Sequence, residues 1–378
     1  MSTTTYPGTN SAAAPSAAPA QEPQRKASGR LLSLDAYRGF IMLLLISEGF
    51  GFAVLGNYPG WEWLSAQVEH AAWEGCTFWD LIQPAFTFMV GVAMPFALAR
   101  RISQGATNSE LFRHVAWRAF VLIALSNIYS NWGKTTELRF QLINVLSQIA
   151  FGYMLCFLIT RLRFKVQVAV AAGILVGYWA LFAAFPGPNG PWSQEGNIGA
   201  VIDLNVLGYN YSGYYTTINF IGNAITILFG CWVGALLRTG KSHKEKLLIL
   251  LGCAVAGFAI GLALEPFNPM VKRLWTVSFT FFSAGWVILM LMAFYWTIEV
   301  KQVRRWAFPF LVLGMNSIFI YSLAQVGIKS WLNRGLSSFT GNFSVFGDLG
   351  TIPQHALVLF GLWLLCYWLY QRKIFFKI

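Results

Sequence analysis

Charge is the scarcest commodity in this chain of 378 residues: Asp, Glu, Lys and Arg together make up 11% of it, against about a quarter in soluble domains. A soluble fold of this length would have too few charged groups to cover its surface, and apolar residues, at 56%, exceed what its cores could hide. Cysteine is sparse as well. Cys156, Cys231, Cys253 and Cys366 lie inside long apolar runs and Cys76 stands outside them, which gives neither a disulfide framework nor zinc-ligand spacing. Cys76 reads as a packing thiol. The sequence contains no Walker loop, no G-x-G-x-x-G, no H-E-x-x-H and no G-x-S-x-G, so phosphate-cradling loops, dinucleotide folds, zincins and serine-hydrolase elbows have no signature here. His114, His243 and His355 fall at membrane edges or in basic loops without a metal-ligating partner at helical spacing, and no metal is expected.

Long apolar runs are abundant. Residues 1–29 are rich in Ala, Pro, Ser and Thr and read as a disordered tail; 30–378 form one transmembrane domain. Ten stretches have the length needed to cross about 30 Å of hydrocarbon as helices: 34–55, 78–99, 111–129, 142–160, 166–185, 217–237, 247–264, 274–297, 307–328 and 355–370. The expected fold is an all-α polytopic membrane protein of about ten transmembrane helices. Basic runs at Arg100 and Arg101, 161–165, 238–246, 301–305 and 372–377 fall in alternate turns, which puts those turns and both termini in the cytoplasm by the positive-inside rule. The formal charge of +12 is then topology and attraction to anionic membrane lipid, not a nucleic-acid footprint. The sequence leaves a homodimer open.

Two outer segments are long. In 56–77, Trp61, Leu64, Val68, Ala71 and Ala72 fall on one helical face, which predicts a short interfacial helix with His70 on its other side. The second, 186–216, is rich in Gly, Asn and Tyr and reads either as a plain connection or as a cover over an outward-facing site.

Several polar residues stand out against this background. On a helix, Gln67, His70 and Glu74 share a face, so Glu74 is positioned to orient a general-base histidine; an interfacial histidine half in water is the plain alternative. Thr77 and Asp80 form T-x-x-D at the start of an apolar run, the pattern of a capping box. Asp35 and Arg38 either pair at the cytoplasmic start of the first span or leave Arg38 to hold a phosphate. Glu48, about ten residues into that span, and Arg118, within the third, are ionisable groups at depth, which face a cavity or a partner. Asn316 and Ser317 are a polar pair inside the ninth span, suited to interhelical hydrogen bonding. The Gly-containing stretch FMVGVAM reads as a helix-packing surface.

RLLSLDAYRGF, HAAWEGCTFWDLIQPAFTFMVGVAM, LWTVSFTFFSAG, GMNSIFIY and YQRKIFFKI together resemble the membrane domain of heparan-alpha-glucosaminide N-acetyltransferase and its bacterial relatives, from Arg30 to the end of the chain. The resemblance implies acetyl transfer from cytoplasmic acetyl-CoA to an extracytoplasmic sugar or glycan, with His70 matching the essential histidine as general base or acyl-accepting nucleophile. It also implies a bacterial cytoplasmic membrane. On this reading His70, Glu48, Asp80 and Glu74 are the catalytic candidates, and Arg38, Arg118, Asn316, Ser317 and Asp35 the candidates for holding acetyl-CoA. The chain departs from the family at Ser47-Glu48-Gly49, where an Asn followed by glycines is usual, and the lumenal domain of the animal enzyme has no counterpart in it. Two other classes compete: a secondary transporter whose path is lined by Glu48 and Arg118 with His70 as a proton switch, and an inactive relative serving as a membrane scaffold.

Overall fold

The computed structural model describes residues 31–134 and 139–376, and the tail read over 1–29 lies outside them. The described residues form fourteen α-helices and an isolated bridge between Gly187 and Gly190. In chain order the helices are α1 (Leu32–Ile46), α2 (Glu62–Gln67), α3 (Ile82–Ser103), α4 (Asn108–Ser130), α5 (Val145–Ile159), α6 (Phe164–Ala184), α7 (Ile198–Leu207), α8 (Phe220–Arg238), α9 (His243–Leu264), α10 (Val277–Tyr295), α11 (Phe308–Met315), α12 (Ser317–Gln325), α13 (Ile328–Thr340) and α14 (Thr351–Gln371).

Among the described residues, seven helices are long and apolar enough to cross a membrane, and nine if each of two bent pairs counts as one span. Three of the ten expected runs therefore differ from simple spans. The run 142–160 becomes α5, whose 15 residues rise about 22 Å, short of a full crossing. The first run bends by 52° after Ile46, because Glu48, Gly49, Phe50 and Gly51 all adopt φ between 50° and 72°, a left-handed turn that Gly49 and Gly51 allow at little cost. The ninth bends by 63° at Asn316, whose Nδ2 donates to Ile374 O at 3.1 Å and whose Oδ1 accepts from Phe376 N at 3.1 Å, clamping the C-terminal segment.

Trp79–Ser103, Thr217–Arg238 and Val277–Val300 are central, with 61%, 67% and 61% of their apolar windows buried, whereas His243–Leu264 buries 22%. Glycine makes this centre possible. A Cβ on Gly91 would lie 1.9 Å from Ile227 O, and one on Gly230 2.1 Å from Phe88 O, so α3 and α8 meet backbone to backbone. Gly39 against Phe310 O and Gly314 against Asp35 O do the same for α1 and α11.

The interfacial helix is shorter than the sequence predicts. α2 ends at Gln67, whose Oε1 accepts from Phe78 N at 2.9 Å, so 68–78 close into a loop instead of continuing the helix. The segment 186–216 contains α7, started by the Asn197 side chain, which accepts from Ala200 N, and stopped by Gly208 at φ 80°.

A side chain at the α3–α8 contact should be costly. Gly91→Val or Gly230→Leu is expected to destabilise by about 3 kcal/mol or more, whereas Gly173→Ala, where a Cβ meets nothing within 4 Å, should gain up to about 1 kcal/mol. Melting in detergent measures both.

Candidate active site

The T-x-x-D pattern folds as its sequence predicts and does more than cap a helix. Asp80 N donates to Thr77 Oγ1 at 3.4 Å, and Asp80 Oδ2 accepts from Thr77 N at 3.2 Å and from Ala71 N at 3.1 Å. Thr77 Oγ1 also donates to Glu69 O at 2.7 Å, so both ends of the 68–78 loop are tied to this turn. The other carboxylate oxygen, Oδ1, lies 2.7 Å from His70 Nδ1 and 3.3 Å from Lys272 Nζ. At 2.7 Å an ionised carboxylate and a bare ring nitrogen would repel, so Nδ1 carries the proton and donates it, which leaves the Nε2 lone pair available. The side chains of Asp80 and Lys272 are 2% and 8% exposed, while that of His70 is 44% exposed. A buried ion pair thus orients a histidine that reaches solvent.

Lys272 arrives on the segment joining α9 to α10, 202 residues from His70. That segment is over-determined. Gly75 N donates to Met270 O at 2.8 Å, Asn219 Nδ2 to Arg273 O at 3.0 Å, and Thr276 Oγ1 to Pro269 O at 2.8 Å. These bonds hold the buried Trp275 at φ 53°, a left-handed conformation that costs a non-glycine residue about 1 kcal/mol or more. Asn219 continues a chain of buried amides: Gln83 donates to Gln148, and Gln148 Nε2 donates to Asn219 Oδ1. Trp73 Nε1 donates to Trp192 O at 2.8 Å and its ring meets Tyr214 edge-on, so 186–216 pack onto the His70 loop.

Glu48 belongs to a second cluster. The break after Ile46 leaves it just past the end of α1, with its side chain half exposed. Its Oε1 lies 2.5 Å from Lys329 Nζ and its Oε2 3.5 Å from His355 Nε2; His355 Nδ1 donates to Thr351 O at 2.8 Å. A Cβ on Gly49 would lie 3.1 Å from Val68 Cβ, so this turn abuts the start of the His70 loop.

A family profile described as a domain of unknown function (DUF5009) matches residues 30–191. Heparan-alpha-glucosaminide N-acetyltransferase of Homo sapiens is 25% identical over 92% of this chain and 60% of its own length. The protein of that name from Mus musculus is 23% identical over 94% of the chain and 62% of its own length. The chain is similar to these N-acetyltransferases over most of its own length. It spans about 60% of the length of the curated relatives it matches.

In this chain the expected residues separate into groups. His70 and Asp80 come together. Glu74 does not join them: the helix that would have put it one turn from the imidazole stops at Gln67, and Asp80 supplies the carboxylate. Asp35 Oδ1 and Arg38 Nη1 lie 3.5 Å apart near the start of α1. Arg118 sits with its guanidinium carbon 4.8 Å from the Tyr153 ring centre, and its Nε is buried without a hydrogen-bond partner among the described residues. Asn316 spends its amide on the C-terminal segment, and Ser317 opens α12. Lys272 is the residue that sequence reasoning missed; its signal is a K-R pair in the brief turn between two long apolar runs. No group of three or more His, Cys, Asp or Glu among the described residues could hold a metal.

Asp80→Asn is expected to cost about 3 to 5 kcal/mol, because it leaves the Lys272 ammonium buried without its anion, and Lys272→Met in that background should restore part of the loss. A double-mutant cycle on melting measures it. Cys76 is pushed up to about 12, first by burial and then by the charge of Asp80. It should resist iodoacetamide at pH 8 and label faster as the pH rises, because the thiolate is the nucleophile.

Proposed function

We propose that this chain is a transmembrane acyltransferase moving an acetyl group from cytoplasmic acetyl-CoA to an amino or hydroxyl group of an extracytoplasmic sugar or glycan. The observation that carries the reading is the 2.7 Å contact between His70 Nδ1 and buried Asp80, which leaves Nε2 of a half-exposed imidazole as a base. The relatives support it: they are heparan-alpha-glucosaminide N-acetyltransferases.

The thioester of acetyl-CoA supplies an activated acyl group, and the acceptor must lose a proton to attack it. His70 Nε2 takes that proton, and Asp80 stabilises the resulting imidazolium through Nδ1–H. The same nitrogen serves if the acyl group rests on His70 first. α1 separates its two ends by about 22 Å along its axis, so the donor is held by its nucleotide at the inner end and reacts at the outer one. Arg38 beside Asp35 and the orphaned Nε of Arg118 fit anionic phosphate. We propose with it a topology of ten spans, counting α5 although it is shorter than a full crossing, with cytoplasmic termini, a tail over 1–29 and one catalytic domain over 30–378, in a bacterial cytoplasmic membrane.

His70→Ala should lower transfer by about two to four orders of magnitude with little change in the KM for acetyl-CoA, whereas Arg38→Ala should raise that KM first. Radiolabelled acetyl transfer to glucosamine by purified protein measures both. A His70→Ala variant keeping more than about a tenth of the rate removes His70 from the chemistry. Accumulation of a sugar in proteoliposomes without any acyl-CoA decides for transport instead.

A further inference from the structure

We propose that Lys272 donates to the oxyanion formed during acyl transfer, an inference that rests on the acyltransferase reading above. An ammonium carries three N–H donors. Asp80 Oδ1, 3.3 Å from Nζ, occupies one. The 3.1 Å approach of Nζ to His70 Nδ1 is no hydrogen bond, because the proton on Nδ1 already points at Asp80. His70 Nε2, 3.5 Å from Nζ, is the atom that must stay free to receive a proton. Among the described residues Nζ has no further partner, and with 8% of the side chain exposed, little water reaches it. A buried cation with spare donors, within 3.5 Å of the base nitrogen, stands where negative charge develops in this reaction.

The step balances as follows. A lone pair on the acceptor nitrogen or oxygen forms a bond to the thioester carbonyl carbon, the C=O π pair moves onto oxygen, and the acceptor proton passes to His70 Nε2. Lys272 N–H groups donate to the oxyanion. Collapse re-forms C=O and breaks C–S, and the departing sulfur takes the proton from Nε2, which gives CoA thiol and returns His70 to its starting form. Lys272 stays an ammonium throughout, paired with Asp80.

Lys272→Met removes the charge at nearly constant shape, and Lys272→Arg keeps it. Release of free CoA thiol from acetyl-CoA by the full chain, with glucosamine as acceptor, is expected to fall about 100- to 1,000-fold in kcat for the Met variant, with the KM for acetyl-CoA within about threefold, and the Arg variant should recover at least about tenfold of that loss. Binding supplies a second readout. S-carboxymethyl-CoA carries an anionic oxygen at the acyl position and should bind wild type at least about tenfold more tightly than the Met variant, while CoA binds both alike. Lys272→Gln gives the same readings if the Met variant does not fold. A wild-type protein that releases no thiol overturns the acyltransferase reading and this inference with it. Wild-type release, together with a Met or Gln variant within threefold of wild type in kcat and in S-carboxymethyl-CoA binding, overturns the role of Lys272 alone.

Discussion

One carboxylate organises the residues around His70. Asp80 is almost fully buried at the head of a central helix, where an unpaired charge would cost several kcal/mol. Backbone N–H groups of Ala71 and Thr77, the His70 ring and the Lys272 ammonium offset that cost. Three of these partners come from the 68–78 loop, and the fourth from the connection between α9 and α10, far away in sequence. Burying the charge therefore forces these pieces to one point.

The scaffold beneath must be stiff for such a point to hold its geometry. Backbone contact through Gly91 and Gly230 locks α3 to α8, and the amide chain Gln83–Gln148–Asn219 ties both to α5 just below the site. Asn219 then reaches the carbonyl of Arg273, the neighbour of Lys272. Buried polar side chains are costly in hydrocarbon unless paired, and here the pairing supports the residues that carry the charge.

What the sequence made legible follows the range of the interactions. The helical, membrane-crossing class came from run length and charge scarcity, and the Thr77–Asp80 box from four consecutive residues. His70 stood out because polar residues are rare beside an apolar run. Its partner was misread as Glu74, since helical periodicity was extended past Gln67, where a side-chain bond to Phe78 N ends the helix. Glu48 was read as part of a straight span; four left-handed residues break the helix there instead. Lys272 was missed for a different reason: its K-R pair marks a turn, but no local pattern encodes a contact across 202 residues.

The glycine contact between α3 and α8 also bears on divergence. Main-chain atoms meet there, so the spacing between α3, which Asp80 shortly precedes, and α8, which Asn219 directly precedes, is independent of side-chain volume on either outer surface. Lipid-facing positions such as Val255, Leu262 and Val176 can drift among apolar types without moving the two ends relative to each other. A chain that shares only 25% of its residues with a relative can therefore keep the same polar roof, because the distances that matter are set by atoms every residue possesses.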